Sequence, residues 1–301
     1  MSINRFFNLT KKLALVSASS FVAYKIICDK LFDIAFKKND EEYKLEEKHN
    51  DWLSSSISSD VYINSFDGLK LHGLKIENHI TSKYVIMVHG IWSNLGWLIP
   101  YAYEFDKLGY NVLLIDQRAS GLSQGNYYTY GYNESIDLID WTNYLINCNS
   151  QIQITYFGVS MGAATVMLTT NKDIPSNVKC IVEDCGYADT KEELAHIIKT
   201  KYKINKPNLF LNLFEKKMHD KFGFIYSDVS PKIALNKNNL PLLIIHGDAD
   251  NFVPYNMSKI IYNNQLGYKK FYCVKNAKHA QCHLDKNYFL IVDDFIKKFV
   301  Q

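Results

Sequence analysis

The sequence lacks the features that would tie it to a zinc site, a disulfide framework or a nucleic acid. Its six cysteines are scattered, with no CxxC pair and no His/Cys cluster at the spacing of zinc ligands. Basic and acidic residues nearly balance, 34 against 31, and the net charge is +3, whereas a nucleic-acid-binding face is usually strongly basic. We therefore expect reduced cysteines, no required metal or organic cofactor, and no nucleic-acid partner.

No hydrophobic run is long enough to cross a bilayer. The best candidate, LALVSASSFVAY at residues 13–24, has 12 residues, whereas a spanning helix needs roughly 20. Basic residues flank it on both sides, at Arg5, Lys11, Lys12 and Lys25, so charge does not orient it. It has the length of a signal-peptide core but no clear cleavage site follows, and it equally fits an amphipathic helix on the domain or on a membrane surface.

What the sequence has is a regular succession of short apolar runs. A charged, helix-like stretch at residues 29–56 is followed by two alternating segments on either side of Asp67-Gly68, which indicates a β-hairpin. Six further apolar runs follow, with helix-like stretches between them, and continuous runs are typical of buried strands in a parallel sheet. The pattern predicts an α/β fold with a mostly parallel, doubly wound sheet of about eight strands.

Two intervals depart from this alternation. Residues 1–56 are interpreted as an N-terminal hydrophobic and helical segment that could anchor the chain to a membrane, in front of a catalytic domain at residues 57–301. Residues 187–240 contain no convincing core strand and predict a helical lid over the carboxyl ends of the strands. Apolar and basic residues of the lid fit a roof over an acyl group that also contacts anionic lipid, or an ordinary amphipathic helix with a solvated face.

The segment FGVSMGAAT, residues 157–165, places Ser160 between Gly158 and Gly162. It follows a predicted strand and opens a predicted helix, which is the setting of the G-x-S-x-G nucleophile elbow. The turn is so tight that the positions two before and two after the serine must lack bulk, hence the glycines. The helix N-terminus favours developing negative charge beside the exposed hydroxyl. We interpret Ser160 as a nucleophile.

A serine nucleophile needs a base, and the base needs an acid that orients it. In this arrangement the acid precedes the histidine along the chain, and a loop at the end of a buried strand offers Asp248 and Asp250. Asp250 lies deeper in that loop, so we prefer it, and Asp248 fits a loop-capping residue. Asp184, at an earlier strand end, fits a turn or helix cap better than the catalytic acid.

The base is expected in the loop after the last strand, where NAKHAQCH supplies two histidines. His279 lies in the loop, from which an imidazole can reach Ser160, so we select it as the base. His283, at the predicted start of the final helix, fits a surface or capping residue. His89, at the end of the third strand, is expected to be structural, with its ring under the neighbouring loop.

The oxyanion of a tetrahedral intermediate needs two preorganised N–H donors. One should be the backbone N–H of Met161, directly after the nucleophile, and the other that of Ile91 in the loop after the third strand. Trp92 is then a candidate wall of the substrate pocket, although a plain core tryptophan fits as well.

Seven segments between roughly residues 60 and 300 carry a family resemblance: VHGIWSN, DQRASGLSQGNYYTYGYNESIDLIDW, FGVSMGAATV, VEDCGY, DVSPKIAL, PLLIIHGDADNFVP and AKHA. Together they resemble the α/β-hydrolases, within them the serine aminopeptidase/BAAT-like group of bacterial, often membrane-associated hydrolases. The resemblance implies nucleophile, acid and base at Ser160, Asp250 and His279, in agreement with the choice made from the residues. It also implies a membrane-anchoring N-terminal segment, and hence membrane association of an otherwise cytoplasmic domain.

One position departs from the family pattern. Relatives usually have a histidine in the loop after the fourth strand, where this chain has Ser120 in DQRASGLS. The residue is not part of the triad, so the departure puts in doubt the shape or polarity of the pocket beside the oxyanion loop.

The expected function is that of a serine hydrolase, foremost a carboxylesterase that cleaves a small acyl-ester or lipid-like substrate through an acyl-enzyme. The same triad would also serve a peptidase, a thioesterase or an acyltransferase, since fold alone does not fix the substrate. The alternative that is not an enzyme is a membrane-tethered binding protein whose triad is inert.

Overall fold

The computed structural model describes residues 24–38 and 43–301, which form one eight-stranded sheet with helices on both faces. The strand order across the sheet is β1-β2-β4-β3-β5-β6-β7-β8. The strands are β1 Ser58–Asn64, β2 Lys70–Ile76, β3 Lys83–Val88, β4 Asn111–Ile115, β5 Gln153–Val159, β6 Val178–Asp184, β7 Leu242–Gly247 and β8 Lys269–Val274.

The sheet is antiparallel at one side and parallel elsewhere. β1 pairs antiparallel with β2, and β2 pairs antiparallel with β4, while every other neighbouring pair is parallel. The β1–β2 connection is the predicted hairpin, and Gly68 takes a φ of 84° there, a conformation that glycine adopts without a steric penalty. The predicted mostly parallel sheet of about eight strands is confirmed.

Helices cover both faces because the buried strands are apolar on both sides. In β3, Ile86 and Val88 belong to one core cluster, whereas Val85 and Met87 belong to the other. The helical elements are residues 24–36 (α1), α2 Glu47–Ser55, α3 Ile99–Lys107, α4 Tyr132–Cys148, α5 Met161–Leu168, α6 Thr190–Thr200, α7 Asn208–Phe222, α8 Pro231–Leu235, α9 Asn256–Asn264 and α10 Tyr288–Ile296.

The stretch expected to be helical at residues 29–56 contains two separate helices that pack on different parts of the domain. α1 packs on α7 through Phe32, whose ring lies edge-on to Phe214 at 5.7 Å, and the two helices also share an ion pair between Asp29 and Lys217. α2 packs on α3, where the indole of Trp52 donates to Asp106 at 2.8 Å. Residues 43–46, directly before α2, are not helical.

The apolar segment at residues 13–24 lies outside the described residues apart from Tyr24, whose hydroxyl donates to the carbonyl of Leu209 in α7 at 2.7 Å. Within the part of the chain that the structure describes, no helix combines the length and the apolar character needed to cross a membrane. The boundary at residues 56 and 57 stays a prediction.

The interval between β6 and β7 is helical and carries α6, α7 and α8. α6 lies beside the nucleophile turn, because Glu193 and Ile197 line a small cavity together with Ser160. Lys201, just after α6, places its ammonium 5.4 Å from the ring of Trp92. The interval predicted to be an insertion is thus helical, and its first helix lies near the residues that follow β3 and β5, while the bounds 187–240 stay a prediction.

Candidate active site

Ser160 lies between the end of β5 at Val159 and the start of α5 at Met161. Its backbone has φ 57° and ψ −118°, a strained conformation that side-chain-bearing residues rarely adopt. Its N–H donates to the carbonyl of Asp184 in the neighbouring strand at 2.8 Å, which holds the turn against the sheet. The hydroxyl therefore stands at the carboxyl edge of the sheet on a rigid support.

Gly158 and Gly162 are required by close approaches of backbone to backbone. A Cβ on Gly158 would lie 2.3 Å from the carbonyl oxygen of Gly162, and a Cβ on Gly162 would lie 2.0 Å from the carbonyl oxygen of Val88. Real Cβ atoms do not approach so closely, and backbone cannot move aside as a flexible side chain can. The glycines predicted from the tight turn thus also allow α5 to dock against β3.

We expect Gly162→Ala to lower the free energy of unfolding by about 3 kcal/mol or more, because the added methyl forces α5 away from β3. Urea unfolding measures this loss. The matched control is Gly68→Ala, where φ is 84° but no atom lies within 4 Å of the added Cβ. At Gly68 only the positive φ disfavours an added side chain, so we expect the free energy of unfolding to fall by about 1–2 kcal/mol. Equal losses in the two variants would contradict the packing explanation.

The structure brings Ser160, His279 and Asp250 together in one hydrogen-bonded chain. His279 Nε2 lies 2.9 Å from Ser160 Oγ, and His279 Nδ1 lies 2.7 Å from Asp250 Oδ2. A carboxylate can only accept, so Nδ1 donates to Asp250, and the neutral ring is then free to accept the serine hydrogen at Nε2. Asp250 follows β7 and His279 follows β8, so adjacent parallel strands deliver both groups to the same edge as Ser160.

The carboxyl of Asp250 is held in its ionised form. Burial alone would raise its pKa, but the hydrogen bonds and charges of His246 and His279 outweigh burial and lower the pKa to about 2. His246 Nε2 donates to the carbonyl of Val253 at 3.0 Å and lies 3.4 Å from Asp250 Oδ2. The second carboxylate oxygen accepts from the N–H groups of Phe252 and Val253, at 2.9 and 3.0 Å.

Asp248 and Asp184, the alternatives to Asp250 as the acid, have other hydrogen-bond partners. Asp248 accepts from the N–H of Asn276 at 2.6 Å and ties two loops together, which is the capping position expected of it. Asp184 is fully buried and accepts from the hydroxyl of Tyr288 at 2.7 Å. It is therefore an interior residue between the sheet and α10, and neither the turn nor the helix-cap interpretation was right.

His283 differs from its expected place on the surface or at a cap. It lies in a short turn before α10, its Nδ1 is 2.8 Å from the hydroxyl of Tyr101, and it lines the large cavity beside Ser160. Burial is the main cause that lowers the pKa of its imidazole, so the ring favours its neutral form. Nothing in the sequence around His279 indicated that His283 would also line the pocket.

The loop after β3 is fixed by residues that the sequence reasoning did not single out. Gln117 donates from its side chain to the carbonyl of His89 at 2.6 Å, and its backbone N–H donates to His89 Nε2 at 3.1 Å. Ser93 donates to the carbonyl of Gly90 at 2.9 Å. Because a Cβ on Gly90 would lie 3.3 Å from the Cβ of Ser160, this loop passes directly beside the nucleophile.

Ile91 and Met161 both line the small cavity that Ser160 borders, and Met161 is the first residue of α5. Their roles as oxyanion donors stay predictions. Ser120, at the position of the family histidine, is fully buried, and its hydroxyl has no hydrogen-bond partner among the described residues. The substituted position therefore lies inside the domain.

Two cavities meet at Ser160. The larger, of about 500 Å³, is open to solvent and is lined mainly by apolar and aromatic side chains, which include Tyr43, Trp92, Trp97, Leu98, Pro100 and Tyr101. His279 is part of its wall. The smaller, of about 20 Å³, lies under α6 and has room for about one water molecule. Trp92 borders both cavities, so it is placed on the pocket wall predicted for it.

Among the described residues, one group could offer a metal ion three ligand atoms within 4.8 Å of one another: Cys185, Asp250 and His279. Two of these already form the hydrogen-bonded chain. Burial is the main cause that raises the pKa of the Cys185 thiol well above its usual range, which disfavours the thiolate that binds metals. The donor set therefore fits the hydrogen-bonded chain better than a metal site.

Comparison with known proteins agrees with this geometry. A family model described as the alpha/beta hydrolase fold matches residues 83–210, from β3 through Ser160 into the helical insertion. The chain therefore has the α/β-hydrolase fold. The match ends before Asp250 and His279, so the roles expected of them rest on their position in the structure.

The chain is similar over most of its length to proteins from bacteria and from an archaeon. It is 28% identical over 277 residues to the uncharacterised protein YqkD of Bacillus subtilis, which covers 90% of each chain. The esterase Pf2001 of Pyrococcus furiosus superposes with a TM-score of 0.70 at 23% identity, over 89% of this chain and 98% of that one. Acetyl xylan esterase 1 of a Thermoanaerobacterium species gives 0.63 at 15%, over 91% and 93%. These structural likenesses confirm the predicted fold.

Proposed function

We propose that the protein is a serine hydrolase that cleaves carboxylic esters through an acyl-enzyme on Ser160. The observation that carries the proposal is the chain of hydrogen bonds from Asp250 through His279 to Ser160, at 2.7 and 2.9 Å. The strained backbone of Ser160 adds support, because such strain persists where the surroundings hold a functional group in place. The similarity to two proteins described as esterases supports an ester as the substrate.

Each residue has a defined part in the proposed reaction. His279 Nε2 takes the proton as Ser160 Oγ attacks the ester carbonyl, and the ionised Asp250 stabilises the imidazolium that forms. The N–H groups of Met161 and Ile91 bind the tetrahedral oxyanion. His279 returns the proton to the leaving alkoxide, and a water molecule activated by the same imidazole then releases the acyl group.

The large cavity supports an uncharged, partly apolar substrate. Aromatic and aliphatic side chains dominate its wall, and its volume of about 500 Å³ lies within the range of small-molecule sites. Its polar side chains include Ser160, His279 and His283, and the ester bond would lie beside the first two.

Covalent labelling tests the proposal. A fluorophosphonate probe should react with the native protein at one serine, and mass spectrometry of the digest should place the adduct on the peptide that contains Ser160. The heat-denatured protein is the control, because an isolated serine hydroxyl without its base does not react. An adduct on another serine, or native protein that is not labelled, would rule out this mechanism.

Membrane association through the N-terminal segment stays a separate proposal. It is supported by exposed apolar residues on α1, where Ile26, Ile27 and Ile34 are each about half exposed. Fractionation of cells that express the chain with and without residues 1–28 tests it, and an equal soluble share of both proteins would contradict it.

A further inference from the structure

Glu193, on α6, is a buried carboxyl that the proposed reaction does not use. Its side chain is 2% exposed, and neither of its oxygens has a hydrogen-bond partner among the described residues. Native proteins rarely leave both oxygens of a buried carboxyl unpaired, because hydrogen bonds to water are lost on burial and nothing replaces them. An unpaired group of this kind beside a nucleophile indicates a partner that arrives with the substrate.

The carboxyl faces the small cavity that Ser160 also borders. The tyrosine hydroxyls of this cavity are already engaged, since Tyr130 donates to the carbonyl of Ala35 at 3.0 Å and Tyr187 donates to the carbonyl of Tyr130 at 3.1 Å. By contrast, the indole N–H of Trp92, another residue of the cavity wall, is buried without a partner in the described part of the chain. The polar groups left for a ligand are therefore the carboxyl of Glu193 and the indole N–H.

The carboxyl of Glu193 favours its neutral form. Burial, with a smaller contribution from the negative charge of Asp250, raises the pKa of Glu193 to about 9. A protonated carboxyl offers one O–H donor and one carbonyl acceptor. It is therefore matched by a group that both accepts and donates a hydrogen bond and carries no charge, and a hydroxyl is the smallest such group.

The position of His279 determines which half of an ester enters this cavity. The leaving oxygen must lie close to His279 Nε2, which protonates it, and His279 lines the large cavity but not the small one. The alcohol half therefore lies in the large cavity, and the acyl half points toward Glu193. A volume of about 20 Å³, with room for about one water molecule, admits a hydroxyl-sized group on the acyl chain and little more.

We propose that Glu193 is a specificity-determining residue and that the preferred acyl group is a short 2-hydroxyacyl group of about the size of glycoloyl. Its hydroxyl donates to the carbonyl oxygen of the Glu193 carboxyl and accepts from the carboxyl O–H or from the indole N–H of Trp92. The inference rests on the proposed esterase function and adds the chemical class of the acyl group.

Three methyl esters of nearly equal size test the proposal: methyl glycolate, methyl propionate and glycine methyl ester, which carry a hydroxyl, a methyl and an ammonium at the same position. Their kcat/KM values are measured in a pH-stat. The glycolate-to-propionate ratio is divided by the same ratio for hydroxide-catalysed hydrolysis, which removes the difference in intrinsic reactivity. We expect a corrected preference for glycolate of at least about tenfold, because a site built to bind a hydroxyl rejects an isostere that lacks it.

The variants separate recognition from folding. Glu193→Leu should reduce the corrected preference to about one and should not lower Tm, because it removes an unpaired buried polar group. Glu193→Gln should keep most of the preference, since the amide also donates and accepts. Glu192→Gln is the matched control: Glu192 lies one residue earlier on α6, its exposed carboxylate binds Lys232 at 2.7 Å, and the change should leave the ratio unchanged.

The outcomes distinguish this inference from the function on which it rests. A wild type that is labelled on Ser160 and hydrolyses nitrophenyl acetate, but shows no corrected preference, would overturn the role of Glu193 alone. So would an unchanged preference in Glu193→Leu or its loss in Glu193→Gln. A preference for glycine methyl ester that Glu193→Gln abolishes would instead assign the carboxyl to an ammonium and overturn the hydroxyl. No labelling and no ester hydrolysis would overturn the proposed function itself.

Discussion

Replacement of Ser160 by alanine should lower kcat for nitrophenyl acetate by about 10⁶-fold. The variant keeps the oxyanion donors and both cavities but has no nucleophile, so hydrolysis must proceed by direct attack of water. The loss is measured by steady-state kinetics of purified protein, with a fluorophosphonate probe as a second readout. Because the mutation removes one oxygen from a residue that is 6% exposed, we expect little change in the overall fold.

Two measurements make the result of Ser160→Ala interpretable. Its far-UV circular dichroism and Tm should match those of the wild type, which excludes unfolding as the cause. Ser54→Ala is the control for a serine outside the site, because Ser54 lies in α2 and its hydroxyl bonds only to the carbonyl of Asn50, at 2.8 Å. Retention of more than a small fraction of esterase activity by folded Ser160→Ala would show that another group performs the chemistry.

Asp250→Asn should lower kcat by roughly 10⁴-fold while the protein stays folded. The ionised carboxylate accepts the hydrogen of His279 Nδ1, so it fixes the tautomer in which Nε2 can accept from Ser160. An asparagine amide can donate to Nδ1 instead, which leaves the hydrogen on Nε2, where it blocks transfer of the serine proton. The amide also cannot balance the charge of the imidazolium. Steady-state kinetics against the same ester measures the effect.

Asp248→Asn is the matched control, since it makes the same chemical change two residues away in the same loop. Asp248 accepts from the backbone of Asn276 at 2.6 Å and does not contact the imidazole, so we expect activity within a few-fold of the wild type. Near-normal activity of Asp250→Asn together with a large loss in folded Asp184→Asn would assign the acid to the neighbouring strand end.

The turn that carries Ser160 could be predicted from sequence because its signal is local. A strand, a turn with glycines two residues on either side of the serine, and a helix all fall within one short segment. The acid and base needed one more step, the order of strands along the chain, since Asp250 and His279 meet only where β7 and β8 end side by side. The parallel sheet was predictable, and with it the edge at which these groups converge.

Glu193 could not be identified in this way. It lies in the first turn of α6 beside Glu192, where acidic residues commonly stabilise a helix N-terminus and face solvent. Its burial arises from the packing of α6 over Ser160, and no local pattern records that contact. For the same reason, the sequence did not show that α1 and α2 are separate helices, because their partners in α7 and α3 lie far away along the chain.

The position of β8 at the edge of the sheet affects how long the proposed activity persists as the protein is destabilised. β8 is the last strand of the sheet, pairs only with β7 among the described strands, and is half-buried along most of its length. Strands with few buried contacts open locally at a lower free-energy cost than the core of the domain. Because His279 follows β8, such an opening withdraws the base from Ser160 while the remaining strands stay paired. We therefore expect the proposed esterase activity to be lost under milder conditions than those that unfold the whole domain.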